Sequence, residues 1–397
     1  MPHAMRYANA LKDRAAVVGI GATEFSKNSG RSEMSLAVEC ILAALEDCGL
    51  EPEEIDGMVS YTMENNPDTE IARNLGAGEL RFFSRIHYGG GAACATIHQA
   101  AMAIATGAAE VVVCYRAMNE RSQQRFGAGV QGHRAEPTAE SAHFGWYSPF
   151  GLLTPAAWVA MFAQRYLHEY GATTEDLGRI SVAARKHAAS NPSAWFYRRP
   201  ITLEDHQKSR WIVHPLRLLD CCQESDGGVA TIVTSRERAR DLKQQPALVR
   251  AAAQGIGHDQ QMMTSYYRDS IVGLPEMGLV ARQLWESSGL GPRDIQTAVI
   301  YDHFTPFVLV QLEEFGFCKP GEAKDFAADG NLELGGGLPL NTHGGQLGEA
   351  YIHGMNGIAE AVRQVRGTAV NQVDDVDNVL VTAGTGVPTS ALILGRE

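Results

Sequence analysis

The chain has no C-x-x-C pair, no long apolar run and no excess of basic residues. Each absence removes a class of protein. Only seven of its 397 residues are cysteine, and the adjacent pair Cys221–Cys222 is poorly placed for an ordinary disulfide. That usage fits a reduced, cytoplasmic protein. Without a run of about 18 apolar residues no membrane span is expected. The segment Met1–Arg14 is charged and lacks the apolar stretch of a signal peptide. Lysine and arginine number 34 against 46 acidic residues, a formal net charge of −12. This balance disfavours nucleic acid and anionic membranes as general partners, while leaving room for a local basic pocket. No His/Cys/carboxylate cluster has metal-ligand spacing, so no metal is expected. Gly127–Gly132 (GAGVQG) satisfies G-x-G-x-x-G, but no apolar strand precedes it, which argues against a dinucleotide site.

What is present is strand–helix alternation. Ala15–Gly21 is an apolar run ending in glycine, read as a buried strand. Ser35–Gly49 has helical spacing, with Ser35 as the expected N-cap and Gly49 as the stop. Ile55–Tyr61 is the next strand, Cys94–Thr106 an alanine-rich helix stopped by Gly107, and Glu110–Tyr115 another strand. The pattern predicts an α/β fold with a covered, largely parallel sheet.

The pattern then returns in register. Gly49, Leu50, Pro52, Ile55, Val59 and Tyr61 match Gly289, Leu290, Pro292, Ile295, Val299 and Tyr301, all at an offset of 240. The helix stopped by Gly107 matches Ile352–Arg366, stopped by Gly367. Repetition at so long a period indicates duplication of a half-domain rather than a solenoid. The boundaries read are 1–240 and 241–397, with residues 116–240 of the first half as a large insertion. Within that insertion Pro155–Tyr170 and Glu175–Ser190 read as helices.

Half, insertion, half is the order of the thiolase superfamily, and local stretches narrow the resemblance. Leu219–Gly228 (LDCCQESDGG) and Ser190–Phe196 (SNPSAWF) resemble segments of sterol-carrier-type thiolases. Tyr301–Phe304 (YDHF) resembles that group's His-Asp-Cys-Phe, and Gly344–Gly357 resembles its Gly-His-Pro loop. The resemblance implies a thiolase-like fold of two duplicated halves. It also implies a homodimer paired through a sheet edge, for which Glu110–Tyr115 is the candidate strand.

The departures from the resemblance carry the chemistry. The nucleophilic cysteine position falls on Gly91, the Gly-His-Pro histidine on Tyr351, the other histidine on Tyr301 and the second cysteine on Thr382. Tyrosines at these two positions resemble the lipid-transfer-protein-like aldolases of steroid side-chain degradation. Their retro-aldol cleavage of a β-hydroxyacyl-CoA leaves no acyl group on the enzyme and needs no thiol. It needs a base, an acid and an oxyanion site. The resemblance implies that Tyr301 and Tyr351 carry the chemistry, with Tyr351 assigned as base and Tyr301 as acid, or the reverse, and with Gly91 and Gly384 as oxyanion donors; His303, on one strand face with Tyr301, would tune it or relay a proton. A phenol near pKa ~10 must be depressed to act as a base; Tyr351, at the opening of the last long helix, would gain from the helix dipole. The implied substrate is 17-hydroxy-3-oxo-4-pregnene-20-carboxyl-CoA, cleaved to a 17-keto steroid and propionyl-CoA. No cofactor is implied, because the CoA thioester is the substrate. The implied partner is a DUF35-type OB-fold protein associated with a hydratase.

Two rival readings remain. Cys94, one turn into its helix, is the candidate nucleophile of an acyltransferase; a non-catalytic acyl-CoA-binding protein is the other. His343, His353 and Asp302 read as packing or loop-bonding groups. Arg198, Arg199 and Arg210 read as solvated charge, with CoA phosphates as the alternative.

Overall fold

The structure is a computed structural model describing residues 10–123, 125–128, 145–261, 263–384 and 389–397. The G-x-G-x-x-G stretch lies partly outside them. Nine strands form the main sheet: β1 (Ala15–Ala22), β2 (Gly57–Tyr61), β3 (Phe82–Ile86), β4 (Val111–Asn119), β5 (Asp226–Ser235), β6 (Ala247–Gly255), β7 (Thr297–Val299), β8 (Asn378–Ala383) and β9 (Thr389–Gly395). The longer helices are α1 (Glu33–Cys48), α2 (Asp68–Leu75), α3 (Ala93–Thr106), α4 (Pro155–Tyr170), α5 (Thr174–Ser190), α6 (Pro275–Ser288), α7 (Thr305–Glu314) and α8 (Met355–Arg366).

The strand order is β3-β2-β4-β5-β1-β6-β9-β8-β7. Read outward from the β1–β6 junction, the two halves use equivalent strands in the same order, and only β3 lacks a counterpart. The junction itself is a short antiparallel pairing, Ala16 with Leu248 and Val17 with Ala247. Four equivalent helix ends are closed by left-handed glycines: Gly49 (φ 76°), Gly107 (73°), Gly289 (74°) and Gly367 (74°). Only glycine adopts this conformation without steric cost, so these stops were readable from the sequence.

Several expectations need correction. The sheet is mixed: among the described residues, its strands pair in parallel only at β3–β2, β2–β4 and β8–β7. β5 and β9 are antiparallel strands inserted beside their neighbours; β–α alternation does not reveal such strands. β5 also lies inside the segment read as insertion. The strand at Glu110–Tyr115 is interior, flanked by β2 and β5, so it offers no free edge. The edge strands are β3 and β7, and the sequence reading missed β3 together with α2. The N-cap of α1 is Ser32, whose side chain accepts from the Ser35 amide.

Burial follows the strand period of two. Ala15 and Val17 join one core cluster with α3 and α8, while Ala16 and Val18 join another with α1. In the second half Val379 and Val381 face α3 and α8, and Leu380 faces the cluster of α6 and α7. The two halves of the one sheet therefore enclose the central helices α3 and α8, with α1 outside the first half and α6 and α7 outside the second. α3 is buried on nearly all sides, as its alanine-rich sequence permits. Helix α4 spans the expected residues, capped by the Thr154 side chain. Among the described residues, no helix is long and apolar enough to cross a membrane.

Candidate active site

The site forms where the starts of α3 and α8 meet. A β-carbon added at Gly354, which caps α8, would lie 3.1 Å from the Ala93 β-carbon and 3.1 Å from Tyr301 Cε2. A β-carbon at Gly90 would lie 1.5 Å from the Tyr301 hydroxyl oxygen. The Tyr301 ring thus occupies space that two glycines leave open, one from each half. The glycine against which the phenol lies is Gly90, one residue before the expected Gly91. Gly91 is buried beside it, its carbonyl accepting from the Ser390 hydroxyl at 2.6 Å.

Tyr301 stands two residues beyond β7, and its backbone is clamped. Its amide donates to Thr382 Oγ1 at 2.9 Å, and Thr382 Oγ1 donates to Gln311 Oε1 at 2.6 Å. Gln311 Nε2 closes the ring by donating to the Tyr301 carbonyl at 2.9 Å. Thr382, at the second cysteine position, therefore holds the backbone of Tyr301.

Tyr351 is four residues before α8, in the loop ahead of it, and its amide donates to Ser225 Oγ at 3.1 Å. It does not open the helix, because the chain turns through Ile352, His353 and Gly354 first. The Tyr301 hydroxyl donates to the Tyr351 hydroxyl at 3.4 Å. Burial pushes both phenols well above their ordinary pKa. The hydrogen bond raises Tyr301 further and lowers Tyr351, as does the Arg116 cation. Buried Cys222 and Glu120 oppose that lowering at Tyr351. Both phenols are therefore neutral near pH 7 without substrate, and neither is the depressed phenol expected.

His303 packs beside Tyr301, ring centroids 4.9 Å apart, and stacks on Phe307 at 5.2 Å and 9°. Burial lowers its pKa to about 3, so the ring is neutral. Asp302 accepts from the amides of Gln346 (2.8 Å) and Leu347 (3.4 Å), a loop-bonding carboxylate as the sequence suggested. His343, its pKa lowered to about 3 chiefly by burial, lies 3.9 Å from Glu349.

His353 is placed differently from the packing role read for it. Arg116 Nε donates to its Nδ1 at 3.2 Å, and Arg116 Nη1 pairs with Glu64 Oε2 at 2.8 Å. This ion pair is almost wholly buried, with side-chain exposures of 3 % and 0 %. The His353 ring stands edge-on to Tyr351, centroids 5.2 Å apart. No local motif marks Glu64 or Arg116; only the fold brings them behind the tyrosines.

Cys94 points away from the tyrosines. Its buried thiol donates to the Val381 carbonyl at 3.5 Å, and burial holds it well above the ordinary thiol range. A nucleophile needs the opposite environment. Cys222 lies nearer the site, its amide donating to the His303 carbonyl at 2.8 Å. Gly384 follows β8 beside the Met277 methyl, and no hydrogen bond among the described residues joins it to either tyrosine. Arg198, Arg199 and Arg210 are all exposed, in agreement with the solvated reading.

A duplicated, layered fold with the site at two central helix starts defines the class. Residues 15–237 match the family model for the thiolase N-terminal domain and 255–396 that for the thiolase C-terminal domain-like family, so the chain belongs to the thiolase family. Within it, the chain is 69 % identical to a steroid side-chain-cleaving aldolase of Thermomonospora curvata, over 98 % of this chain and 99 % of that protein. It is 66 % identical to the 17-hydroxy-3-oxo-4-pregnene-20-carboxyl-CoA lyase of Mycobacterium tuberculosis, over 97 % of this chain and all of that one. A solved Ltp2-ChsH2(DUF35) aldolase superposes with a TM-score of 0.93 at 69 % identity, covering 98 % and 99 % of the two chains. Human mitochondrial 3-ketoacyl-CoA thiolase, at 15 % identity and a TM-score of 0.68 over 97 % and 98 %, shares the fold.

Proposed function

We propose that this chain is a carbon–carbon lyase that cleaves 17-hydroxy-3-oxo-4-pregnene-20-carboxyl-CoA by a retro-aldol reaction, giving a 17-keto steroid and propionyl-CoA. The observation that carries the reading is the pair of phenol oxygens 3.4 Å apart at the start of α3, where the thiol is replaced by glycine. Kinship with the steroid side-chain-cleaving aldolase and the carboxyl-CoA lyase supports the substrate class.

Two neutral phenols in contact serve as a relay, so neither needs a depressed pKa. Tyr351 accepts the proton of the substrate's tertiary hydroxyl while passing its own to Tyr301, and Tyr301 gives up its original hydroxyl proton toward C20 in the same displacement, so neither oxygen holds two protons. The C17–O bond becomes the ketone, the C17–C20 bond breaks, and its electrons enter the thioester as an enolate. Tyr301 returns its proton to C20 of that enolate, which completes propionyl-CoA. Proton count and charge balance, and no acyl-enzyme forms. Phenolic hydroxyls reorient freely, so the observed Tyr301-to-Tyr351 direction can reverse within the cycle. Backbone amides at Gly91 and Gly384 are the oxyanion donors of this reading.

The partner is a DUF35-type OB-fold protein, a reading supported by the Ltp2-ChsH2(DUF35) aldolase, and its association with a hydratase is a further part of the proposal. A homodimer would use β3, an edge strand with Phe83 69 % exposed. The seven free cysteines fit the cytoplasm. The decisive experiment is incubation of the chain, with and without a DUF35-type partner, on the carboxyl-CoA substrate. Release of propionyl-CoA and a 17-ketone, identified by mass, is expected; substrate bound but unchanged with the partner present would overturn the reading.

A further inference from the structure

We propose that the buried Glu64–Arg116 pair locks His353 as its neutral Nε2–H tautomer, and that this N–H is a side-chain donor to the thioester oxygen as it becomes an enolate. The inference rests on the aldolase reading above and adds a catalytic group to it.

The tautomer follows from the hydrogen bond. An arginine guanidinium has donors and no acceptor. Because Arg116 Nε donates to His353 Nδ1 at 3.2 Å, Nδ1 presents a lone pair and the ring proton sits on Nε2. Glu64, 2.8 Å from Arg116 Nη1, fixes the guanidinium in turn. A cation against the ring and near-complete burial both disfavour a second proton. Only 2 % of His353 is exposed.

The placement follows from the neighbours. A β-carbon on Gly89 would stand 3.1 Å from Met63 Sδ and 3.5 Å from both Nε2 and Cε1 of His353, so this edge of the ring faces the Gly89 backbone. Among the described residues no acceptor is hydrogen-bonded to Nε2. Gly89 precedes Gly90, on which the Tyr301 hydroxyl rests, so the N–H and the phenols border the same glycine turn. Phe126 stacks on one side of the imidazole (5.4 Å, 18°) and Tyr351 meets it edge-on, fixing the ring plane. The backbone of His353 is itself in the left-handed region (φ 48°), with its carbonyl accepting from the Tyr61 hydroxyl at 3.3 Å. A residue with a β-carbon held there by its surroundings points to a positional demand.

A buried donor aimed into a site stabilises charge that develops in the transition state more than it stabilises the neutral ground state. The thioester oxygen gains that charge during both carbon–carbon cleavage and α-proton removal from propionyl-CoA. The second process isolates the enolate step. The test measures cleavage by the chain with its DUF35-type partner, and deuterium exchange into the α-carbon of propionyl-CoA in D2O. His353→Phe is expected to lower both by about 100-fold, the scale of a lost oxyanion donor, with KM little changed. His353→Gln, which restores an N–H near the Nε2 position, should recover most of the loss. Wild-type exchange rates in His353→Phe would overturn the assignment. Inactivity of the unaltered protein in both assays would instead overturn the aldolase reading beneath it. The tautomer is checked on the unaltered protein by ring ¹⁵N shifts, with the His353 signals identified by their loss in His353→Gln. An acceptor-type Nδ1 and a protonated Nε2 are expected; the Nδ1–H tautomer would sink the proposal.

Discussion

The hydroxyl of Tyr301 donates to the hydroxyl of Tyr351 at 3.4 Å, longer than a close O–H···O bond of roughly 2.7–2.8 Å. Catalytic contacts are often loose before substrate arrives and tighten in the reacting complex. The relay reading makes each phenol indispensable. Tyr301→Phe and Tyr351→Phe should each lower cleavage by roughly 10²–10⁴-fold, the range for a lost general acid or base. Thermal unfolding should change little, because each substitution removes one oxygen. Tyr351→Phe should also lose the hydroxyl-proton step while Tyr301→Phe loses α-deuterium exchange. Full turnover in both variants would exclude the relay.

Gly90 should tolerate nothing larger. The β-carbon of Gly90→Ala would sit 1.5 Å from the Tyr301 oxygen and 2.3 Å from Cζ, so the ring must move. Crowding of this kind costs ~1–3 kcal/mol of stability. Activity should fall further than stability does, since displacing a reacting group by 1 Å costs on the order of 100-fold. Comparing kcat with the urea midpoint of Gly90→Ala checks both, and normal kcat in a folded variant would contradict the geometry.

The parts of this site legible in the sequence are those set by position within a duplicated pattern. Tyr301 pairs with Tyr61 at the 240-residue offset, and the glycine stops at Gly107 and Gly367 mark the two central helices. The illegible parts depend on which distant strands become neighbours. Antiparallel β5 and β9 are buried along nearly their whole length, as parallel β2 and β7 are, so the mixed sheet gave no periodic sign. Edge strand β3 (FFSRI) has only Ile86 buried and no clean alternation. Glu64, Arg116 and His353 are 52 and 237 residues apart in sequence. Nothing local distinguishes them from surface charges or a packed imidazole. The expected helix-dipole help for Tyr351 failed because the loop inserts three residues before α8.

Thr382 should act on Tyr301 through the backbone. Thr382→Val leaves the Tyr301 amide and Gln311 Oε1 without their hydroxyl partner in a buried setting. Each such loss costs ~1–3 kcal/mol. The variant should unfold earlier in urea and show lower kcat, because the phenol is no longer held in register. Thr382→Ser keeps the hydroxyl and should restore kcat. Full kcat in the valine variant beside a loss in the serine variant would show that the methyl group, rather than the hydroxyl, matters.

Acid should destabilise the protein through His303. Burial lowers its folded pKa from 6.5 to about 3, while the unfolded ring keeps the ordinary value. Between those values the unfolded state binds more protons, so stability from this group is present above pH 6.5 and lost as pH falls. At pH 4.5, two units below the unfolded pKa, the loss is about 2–3 kcal/mol at ~1.4 kcal/mol per unit. His303→Phe preserves a flat ring against Phe307 and removes the titration. Its unfolding free energy should fall less than that of the unaltered protein between pH 7 and pH 4.5, by about that amount. Identical pH dependence in both would refute the buried-neutral assignment.

Cys94 supplies the sharpest contrast between aldol and thiolase chemistry. Its thiol faces Val381 of β8 in the central core, and burial keeps it protonated. An acyltransferase using this sulfur would stop completely in Cys94→Ala and would accumulate an acyl group on it in the unaltered protein. The relay predicts the reverse. Cys94→Ala should retain cleavage within a few-fold, at a cost of about 1 kcal/mol in stability from the small cavity. Intact-protein mass spectra taken during turnover should show no acyl adduct. A thiol-linked adduct at Cys94 that forms and decays at the rate of product release would return the chain to covalent chemistry and leave the paired phenols without a reaction to perform.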